Sequence, residues 1–431
     1  MSPLIGRRQF LRLGAGAVVV VGLGACDSNS TARSPGSSGL PGSTGGTEPP
    51  TPSTTGAAPP GGPAPGGGAG TTFGGRRLVI VQMNGGNDVL NTLPPADGRY
   101  HDLRPTLALA DHDVVALSGV TDMGLHPALG PLLPYWGAGQ LAIARGIGFE
   151  VPNRSHFVSM DRWWRADQLT QPGWLGRVLD GLPAEPSPLF ATALGSGAPV
   201  LAGAHVQPTV ITTADSFKWV DFDPTWLAAM GEGGSDLAGL ARHAFQRTIT
   251  AVNAFAEITD SKATTDDLPS REGDATITAG LAVAAQLLLA DAGTQIVVVS
   301  ASGFDTHSNQ LTEHADLLAD LAGGVAAFMQ AMEAGGLADD VLLVTTSEFG
   351  RRAAENGSGG SDHGAGGGSF VIGHGVQGGA YGQIDLADLL DGDVRPVIAP
   401  QALFTTCLDW LGVDAASVLG ERDDGLACLR R

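Results

Sequence analysis

The chain has 431 residues, 43% of them hydrophobic, which is enough to bury a sizeable core. Its 44 acidic and 24 basic residues give a formal net charge of −20 at pH 7. Because binding to nucleic-acid phosphates needs a basic surface, we expect no nucleic-acid partner. The negative charge favours solubility and is compatible with binding of divalent cations.

Residues 1–26 have the pattern of an export signal. Arg7 and Arg8 precede a short apolar stretch that ends at Leu23, which is typical of a twin-arginine signal, although Gly6 stands where Ser or Thr is preferred. The apolar stretch is too short to span a bilayer. We therefore expect the twin-arginine translocase to export the protein to the periplasm or the cell surface.

A possible lipid anchor and a linker follow the signal. The small residues that end at Cys26 resemble a bacterial lipoprotein processing box, and an acyl chain on Cys26 would tether the protein to the membrane. The alternative is ordinary cleavage nearby, with Cys26 lost or free. Residues 27–75 consist almost entirely of Ser, Thr, Gly, Pro and Ala and predict a disordered linker, because they bury too little apolar surface to offset their ordering entropy. Residues 76–431 predict a single α/β domain.

Two cysteines, Cys407 and Cys428, lie in this domain. In an exported protein a disulfide between them is possible and would tie the C-terminal tail to the preceding helix. The alternative is one buried thiol and one unrelated tail thiol. No CxxC spacing occurs, so a zinc-binding cysteine pair is not expected.

The domain begins with an apolar strand over Leu78–Met83 that runs into the sequence NGGND. The two glycines predict a tight loop in which the backbone approaches another group closely. Neither GxGxxG nor GxxxxGK[ST] occurs here, which argues against a nucleotide-binding loop. Asp88 is the first acidic side chain after the strand. It is a candidate metal ligand, and its alternative role is a turn or helix cap.

Strands and helices alternate along the rest of the domain, which predicts a three-layer α/β/α fold with a mainly parallel central sheet. Alternating Val, Ile and Thr over Pro199–Phe222 predict short antiparallel strands or an insertion. Apolar runs predict strands over Leu141–Ala144, Ile296–Val299, Val341–Thr346 and Phe370–Ile372. Helical patterns cover Pro127–Trp136, Ser155–Arg165, Asp236–Ile258, Ala275–Leu289, Leu311–Ala334 and Ala402–Leu411.

Potential metal ligands follow three apolar runs. Asp305 and His307 follow the strand Ile296–Val299, Glu348 follows the next strand, and Asp362 and His363 lie in a glycine-rich loop. In open α/β sheets, ligands bind at the carboxyl ends of the strands. Mixed carboxylate and imidazole ligands favour zinc or manganese over calcium or magnesium.

Each of these residues also has a structural alternative. Asp305 could cap the following helix, Glu348 could pair with Arg351 or Arg352, and His363 could hydrogen-bond within its own loop. If these alternatives hold, the site binds no metal.

Ser155 lies near the start of the helix predicted over Ser155–Arg165. A side-chain oxygen at a helix N-terminus sits in a positive local field, which suits a nucleophilic hydroxyl. Capping of the helix by Ser155 is the alternative.

Six segments in a fixed order resemble a known bacterial family: GGND, LHPAL, PNRSHF, GFDTHSNQ, TSEFGR and DHG. The family is catalogued as domain of unknown function 1501 and is placed by similarity in the alkaline phosphatase and sulfatase superfamily. The resemblance covers nearly all of Leu78 to Leu411. It implies an alkaline phosphatase-like α/β domain with a two-metal hydrolase ancestry, and it implies no particular substrate.

The resemblance also implies roles for individual residues. Ser155 resembles the superfamily's nucleophile, and Asp305 resembles the first residue of its Asp-x-x-x-His metal motif. Glu348 stands where an Asp-His pair usually follows a strand. Asp362 and His363 resemble the late histidine element.

Three positions depart from that pattern. Asn309 occupies the fourth place after Asp305, where His is expected, although His307 is close by. Phe349 replaces the histidine of the Asp-His pair, and Asn84 replaces the first Asp, with Asp88 as its substitute.

Two hypotheses follow. The first is a metal-dependent hydrolase of phosphate or sulfate esters, in which one ion depresses the pKa of Ser155 and a second stabilises the leaving oxygen. The second is a surface-tethered binding or assembly module that keeps the fold without the chemistry. The substrate and any protein partner are not predicted.

Overall fold

The computed structural model describes residues 72–212, 237–260, 276–290 and 292–430. The twin-arginine signal, Cys26, residues 27–71 of the predicted linker and residues 213–222 of the predicted insertion lie outside these ranges. Thr72–Gly75, at the end of the predicted linker, form a 3-10 turn directly before the first strand.

An eight-stranded sheet forms the centre of the described fold, and a two-stranded antiparallel ribbon lies apart from it. The ribbon is β2 (Val115–Ala116) and β3 (Gly124–Leu125). The strands of the main sheet are β1 (Arg77–Met83), β4 (Leu141–Ile147), β5 (Ala191–Leu194), β6 (Thr209–Ile211), β7 (Ile296–Ala301), β8 (Val341–Thr346), β9 (Gly367–Ile372) and β10 (Gly379–Gly382). Their order is β10-β4-β9-β8-β1-β7-β5-β6. Within this sheet β9 runs antiparallel to its neighbours β4 and β8, and the other described pairs are parallel.

One expectation about the sheet is wrong in the described part of the chain. Thr209–Ile211, in the segment predicted to form short antiparallel strands, pairs in parallel with β5 at the edge of the sheet. Alternation of apolar and polar residues marks a half-buried strand, but it carries no information about the direction of the neighbouring strand.

Helices cover both faces of the sheet, which confirms the predicted three-layer α/β/α architecture. Alternate residues of β1 enter two separate cores, because successive side chains of a strand point to opposite faces: Val79 and Val81 to one, Leu78 and Ile80 to the other. The helices are α1 (Val89–Thr92), α2 (Gly98–Leu103), α3 (Leu133–Gly137), α4 (His156–Arg165), α5 (Trp174–Asp180), α6 (Leu237–Asp260), α7 (Ile277–Leu289), α8 (Gln310–Ala334), α9 (Pro400–Leu411) and α10 (Ala415–Leu419). Helices α7 and α8 contribute to the first core, and α5, α9 and α10 contribute to the second.

Helix α8 is the one described helix whose length and apolar composition would also allow it to cross a membrane. Its apolar side chains Leu318, Leu321, Val325 and Phe328 lie in the core on one face of the sheet. Packing on the sheet accounts for its composition.

The three central strands bring the predicted ligands to one edge. β1 pairs in parallel with both β7 and β8, and Met83 lies opposite Ala301 while Gln82 lies opposite Thr346. The chain segments that carry Asp305 and Glu348 therefore leave the sheet at the same edge, beside the glycine loop that follows β1.

An aromatic cluster fixes α4 against the second core. The ring of Phe404 on α9 lies 5.5 Å from that of Trp163 on α4 and 5.2 Å from that of Trp174 on α5. Trp163 Nε1 donates a hydrogen bond of 2.9 Å to the carbonyl of Glu348. The cluster thus connects the core to the helix and the loop that end at the candidate site.

We expect Phe404→Ala to lower the free energy of unfolding by about 3–5 kcal/mol, because the buried ring leaves a cavity between three helices. Chemical denaturation of the full chain measures this change. Leu169→Ala is the control: Leu169 is half exposed, and its truncation should change the free energy by less than about 0.5 kcal/mol. Equal effects of the two substitutions would contradict the role given to the aromatic cluster.

Candidate metal centre

Three imidazole rings converge on the carboxylate of Asp305. The Nε2 atoms of His307 and His363 lie 3.1 Å and 3.0 Å from Asp305 Oδ1, and Nε2 of His156 lies 3.5 Å from Oδ2. The Nε2 atoms of His307 and His363 are 2.9 Å apart. We call these four residues the histidine–aspartate cluster.

The other ring nitrogen of each histidine is held by an oxygen outside the cluster. Nδ1 of His156 lies 2.7 Å from Glu348 Oε1, Nδ1 of His307 lies 3.1 Å from Asp362 Oδ1, and Nδ1 of His363 lies 2.8 Å from the carbonyl oxygen of Arg154. Carboxylates and carbonyls only accept hydrogen bonds, so each Nδ1 must carry the proton. In the neutral imidazole each Nε2 then presents a lone pair toward Asp305.

This arrangement matches the way proteins hold metal-binding histidines. Metal-ligating histidines almost always donate their second ring N–H to a carboxylate or a carbonyl, which fixes the tautomer and the ring orientation. Lone pairs of several Nε2 atoms facing a carboxylate repel one another unless a proton or a cation lies between them. The cluster therefore has the chemistry of a cation site.

The spacing of the donor atoms also fits a small ion. Ligand atoms at about 2.0–2.1 Å from a tetrahedral zinc are roughly 3.3 Å from one another. The distance between Nε2 of His307 and Nε2 of His363 and the three distances from the Nε2 atoms to Asp305 run from 2.9 to 3.5 Å. The potential ligand atoms of His156, Asp305 and His363 all lie within 4.8 Å of one another.

The buried guanidinium of Arg351 lies behind the cluster. Its NH2 group lies 2.6 Å from Asp305 Oδ1, and its NH1 group lies 3.5 Å from His307 Nε2. Burial raises the pKa of Asp305, but the hydrogen bond and charge of Arg351, together with the contacts to His363 and His307, outweigh it and lower the pKa to about 2. The hydrogen bond with Glu348 raises the pKa of His156 above its usual value.

Glycines allow the loops around the cluster to touch. A Cβ on Gly85 would overlap the backbone nitrogen of Asp305, and a Cβ on Gly86 would overlap the ring of Phe349. Both glycines also have positive φ, +125° and +84°, which other residues rarely adopt. The backbone N–H of Gly85 donates to Glu348 Oε1 over 2.8 Å. The close approach predicted from the glycine pair is thus a contact between site loops.

Ser155 is exposed and precedes α4 at the N-cap position. Its hydroxyl makes no capping hydrogen bond to the helix. The structural alternative, in which the hydroxyl caps α4, is therefore not observed. The next residue along the chain, His156, belongs to the cluster. Ser155 therefore stands at a helix N-terminus, in a positive local field, and directly precedes a residue of the cluster along the chain.

Five of the six predicted ligands meet at or around the cluster. Asp305, His307 and His363 form it, and Glu348 and Asp362 orient its histidines. The structural alternatives for these residues are not the contacts observed. The N-cap of α8 is Asn309, and Arg351 pairs with Asp305.

Asp88 is the sixth, and its carboxylate is occupied elsewhere. It forms a fully buried ion pair with Arg104, at 2.5 Å to NH1 and 3.0 Å to NH2, and it accepts a further hydrogen bond from Gln310. It also caps α1 by accepting from the backbone N–H of Leu90 over 3.1 Å. The role as a helix cap, predicted as the alternative, is the observed one, and nothing in these contacts supports a metal ligand at this position.

Two residues that contact Asp305 were not predicted. His156 directly follows Ser155, the candidate nucleophile at the N-cap of α4. This position in the first turn of the helix was the signal that could have identified it. Arg351 was considered only as a partner of Glu348. No sequence pattern indicates that it turns toward Asp305 instead.

Cys407 and Cys428 are both buried and are free thiols in this structure. Burial raises the pKa of both thiols, that of Cys428 to about 12. The disulfide between them stays a prediction.

A comparison with protein families matches residues 149–427, more than half of the chain, to the family described as "Protein of unknown function (DUF1501)". The chain belongs to this family. No curated protein matches the sequence significantly.

Several solved structures match the chain at low similarity. The lipoteichoic acid synthase LtaP from Listeria monocytogenes is 10% identical, with a TM-score of 0.38 over 82% of this chain and 76% of that one. The soluble domain of lipooligosaccharide phosphoethanolamine transferase A from Neisseria meningitidis is 13% identical, with a TM-score of 0.39 over 83% and 94%. The periplasmic domain of EptC from Escherichia coli, in complex with Zn, is 9% identical, with a TM-score of 0.38 over 79% and 84%. These similarities are too low to carry an argument about this protein.

We expect Arg104→Met to lower the free energy of unfolding by about 3–5 kcal/mol, because it leaves the Asp88 carboxylate buried without its cation. Arg395→Met is the matched control, since the Arg395–Asp388 pair is exposed and its loss should change stability little. Chemical denaturation measures the free energy of unfolding of each variant. A similar decrease in both would contradict the larger contribution given to the buried pair.

The same pair predicts a dependence of stability on pH. Burial raises the pKa of Asp88, yet Arg104 and the other hydrogen-bond donors bring it below the ordinary value of 3.8. A carboxyl with a depressed native pKa contributes stability above its unfolded pKa and loses it as the pH falls through the native pKa. We expect the wild type to lose stability as the pH falls below about 4, and Asp88→Asn to lose less over the same range.

Proposed function

We propose that the protein is a metal-dependent hydrolase of phosphate or sulfate esters, with the histidine–aspartate cluster as its metal centre and Ser155 as its nucleophile. The observation that carries the proposal is the convergence of three Nε2 atoms on Asp305 while each Nδ1 is anchored by an acceptor. Three imidazole ligands with one carboxylate favour zinc, with manganese as the next choice and calcium or magnesium less suited.

The surrounding residues orient the histidine rings of the cluster. Glu348, itself fixed by the Gly85 N–H, orients His156, while Asp362 orients His307 and accepts from Asn356 Nδ2 over 3.1 Å. Orientation by such outer partners is what keeps ligand geometry fixed in metal enzymes. A bound divalent cation would supply positive charge that polarises an ester oxygen and lowers the pKa of a nearby hydroxyl.

Ser155 supplies the group that attacks. Its oxygen would lose its proton and bond to the phosphorus or sulfur of the ester, and the bond to the alcohol oxygen would break. The alcohol would leave with a proton, and the acid group would stay on the serine. Water would then cleave that serine ester and release phosphate or sulfate. The exposed position of Ser155 at the start of α4 leaves it accessible to a substrate and places the developing negative charge at a positive helix end.

We expect zinc-loaded wild type to hydrolyse aryl phosphates or aryl sulfates, and Ser155→Ala to lose about 10³-fold or more of that activity. The variant should keep its metal, because Ser155 is outside the cluster. Release of the aryl alcohol is measured by absorbance, and metal content by mass spectrometry. Ser417→Ala, an exposed serine on α10, is the control and should keep full activity.

Activity retained by Ser155→Ala would exclude Ser155 as the nucleophile. A protein that binds no metal and turns over no ester in a broad panel would refute the hydrolase.

The second candidate is a tethered binding or assembly module without catalysis. One observation favours it: Arg351 already supplies a positive charge to Asp305, at 2.6 Å. Under this alternative, Ser155→Ala would fully complement a deletion strain. Under the hydrolase proposal it would not.

We further propose that the protein is exported and membrane-tethered. The basis is the sequence of residues 1–26, with Arg7 and Arg8 before the apolar stretch and Cys26 at its end. Replacing both arginines with lysine should retain the protein in the cytoplasm, and Cys26→Ala should release it from the membrane fraction. Unchanged fractionation of both variants would contradict the export route and the anchor.

A further inference from the structure

We propose that the metal centre holds a single divalent cation, and that Arg351 permanently takes the place that a second cation would need. This inference rests on the proposed function, because it concerns the same site. It departs from the two-metal arrangement that the superfamily resemblance implies.

Arg351 cannot leave its position without disturbing three loops. The side chain is fully buried and donates hydrogen bonds to the backbone carbonyls of Gly85, Gly86, Phe304 and Ser361. These carbonyls belong to the segment after β1, the segment after β7 and the glycine-rich loop. Because a guanidinium stays charged at any ordinary pH, the positive charge is fixed there.

That charge lies against two of the side chains that a second ion would have to share with the first. Arg351 NH2 is 2.6 Å from Asp305 Oδ1 and NH1 is 3.5 Å from His307 Nε2. Metal ions in two-metal sites lie about 3.5–4 Å apart and share such ligands. A fixed cation at this point repels a second divalent ion and occupies one oxygen of the carboxylate that would have to bridge the two.

The other described carboxylates around the cluster already have hydrogen-bonding partners. The carboxylate of Asp88 accepts hydrogen bonds from Arg104, Gln310 and a backbone N–H. Glu348 accepts from Gly85 and pairs with His156, and Asp362 accepts from Asn356 and pairs with His307. A second ion would therefore have to share Asp305, whose Oδ1 is held by Arg351, whereas the first has three imidazoles and Asp305.

The number of bound ions tests the proposal. The purified full chain is stripped with a chelator, reloaded with zinc and dialysed, and zinc per chain is measured by mass spectrometry. We expect one zinc per chain in the wild type and none in His363→Ala, since one ligand set serves one ion. In a two-ion site the same substitution would leave an ion bound. His112→Ala, an exposed histidine outside the cluster, should keep one zinc.

The outcomes separate the two proposals. Two zinc ions in the wild type would overturn the single-ion inference and leave the hydrolase proposal standing. No zinc in the wild type would overturn the metal centre itself, and this inference with it.

Arg351 is tested by two substitutions. Arg351→Lys keeps a positive charge and should stay at one zinc, whereas Arg351→Met should take up a second zinc in excess metal. Circular dichroism identifies which variants fold. A folded Arg351→Met that still binds one zinc would contradict the role given to Arg351. If that variant does not fold, the number of zinc ions bound by the wild type and by His363→Ala decides the single-ion inference.

Discussion

The buried guanidinium of Arg351 is the interaction on which the candidate site depends. Four backbone carbonyls from three separate loops accept its hydrogen bonds, and Asp305 neutralises its charge. Burying an unpaired arginine would be prohibitively costly, so the loops must close around it to satisfy its donors. Once they do, Asp305 is aimed at the point where the three imidazoles meet.

A second buried arginine, Arg104, connects the segments that follow β1 and β8. Arg104 joins Asp88, after β1, to the carbonyl oxygens of Arg352 and Ala353 over 2.8 Å each. The two arginines therefore act on neighbouring stretches of chain, one facing the cluster and one facing the core. Although the chain has fewer basic than acidic residues, Arg104 and Arg351 both lie in the interior. There they donate hydrogen bonds to backbone carbonyls instead of contacting solvent.

The fold could be predicted from the sequence because its signals are local. Uninterrupted apolar runs mark strands buried on both faces, and their alternation with helices requires a mainly parallel sheet. The direction of Thr209–Ile211 could not be predicted, because alternation of apolar and polar residues is the same for both directions of pairing.

The site was predictable in part for a similar reason. Asp305, Glu348 and His363 follow strands or sit in a glycine-rich loop, and strand ends of parallel sheets meet at one edge. The role of Asp88 depends on its pairing with Arg104, 16 residues further along the chain. The contribution of His156 depends on a contact with Glu348, 192 residues away. Arg104 takes Asp88 away from the cluster, and the turn before α4 brings His156 to it. The helix-cap role of Asp88 was one of the two roles predicted from the sequence, but no local pattern indicates its ion pair with Arg104 or the contact of His156 with Asp305.

The distribution of the cluster along the chain would couple the binding of a cation to folding. Its side chains come from α4, from the segment after β7 and from the glycine-rich loop, so His156 and His363 meet only when the sheet is assembled. An ion held by these groups would bind the native chain far better than the unfolded one, and by mass action it would stabilise the native state in proportion to the logarithm of its free concentration. The stability of the folded domain would then depend on the concentration of free cation in the compartment in which the protein resides.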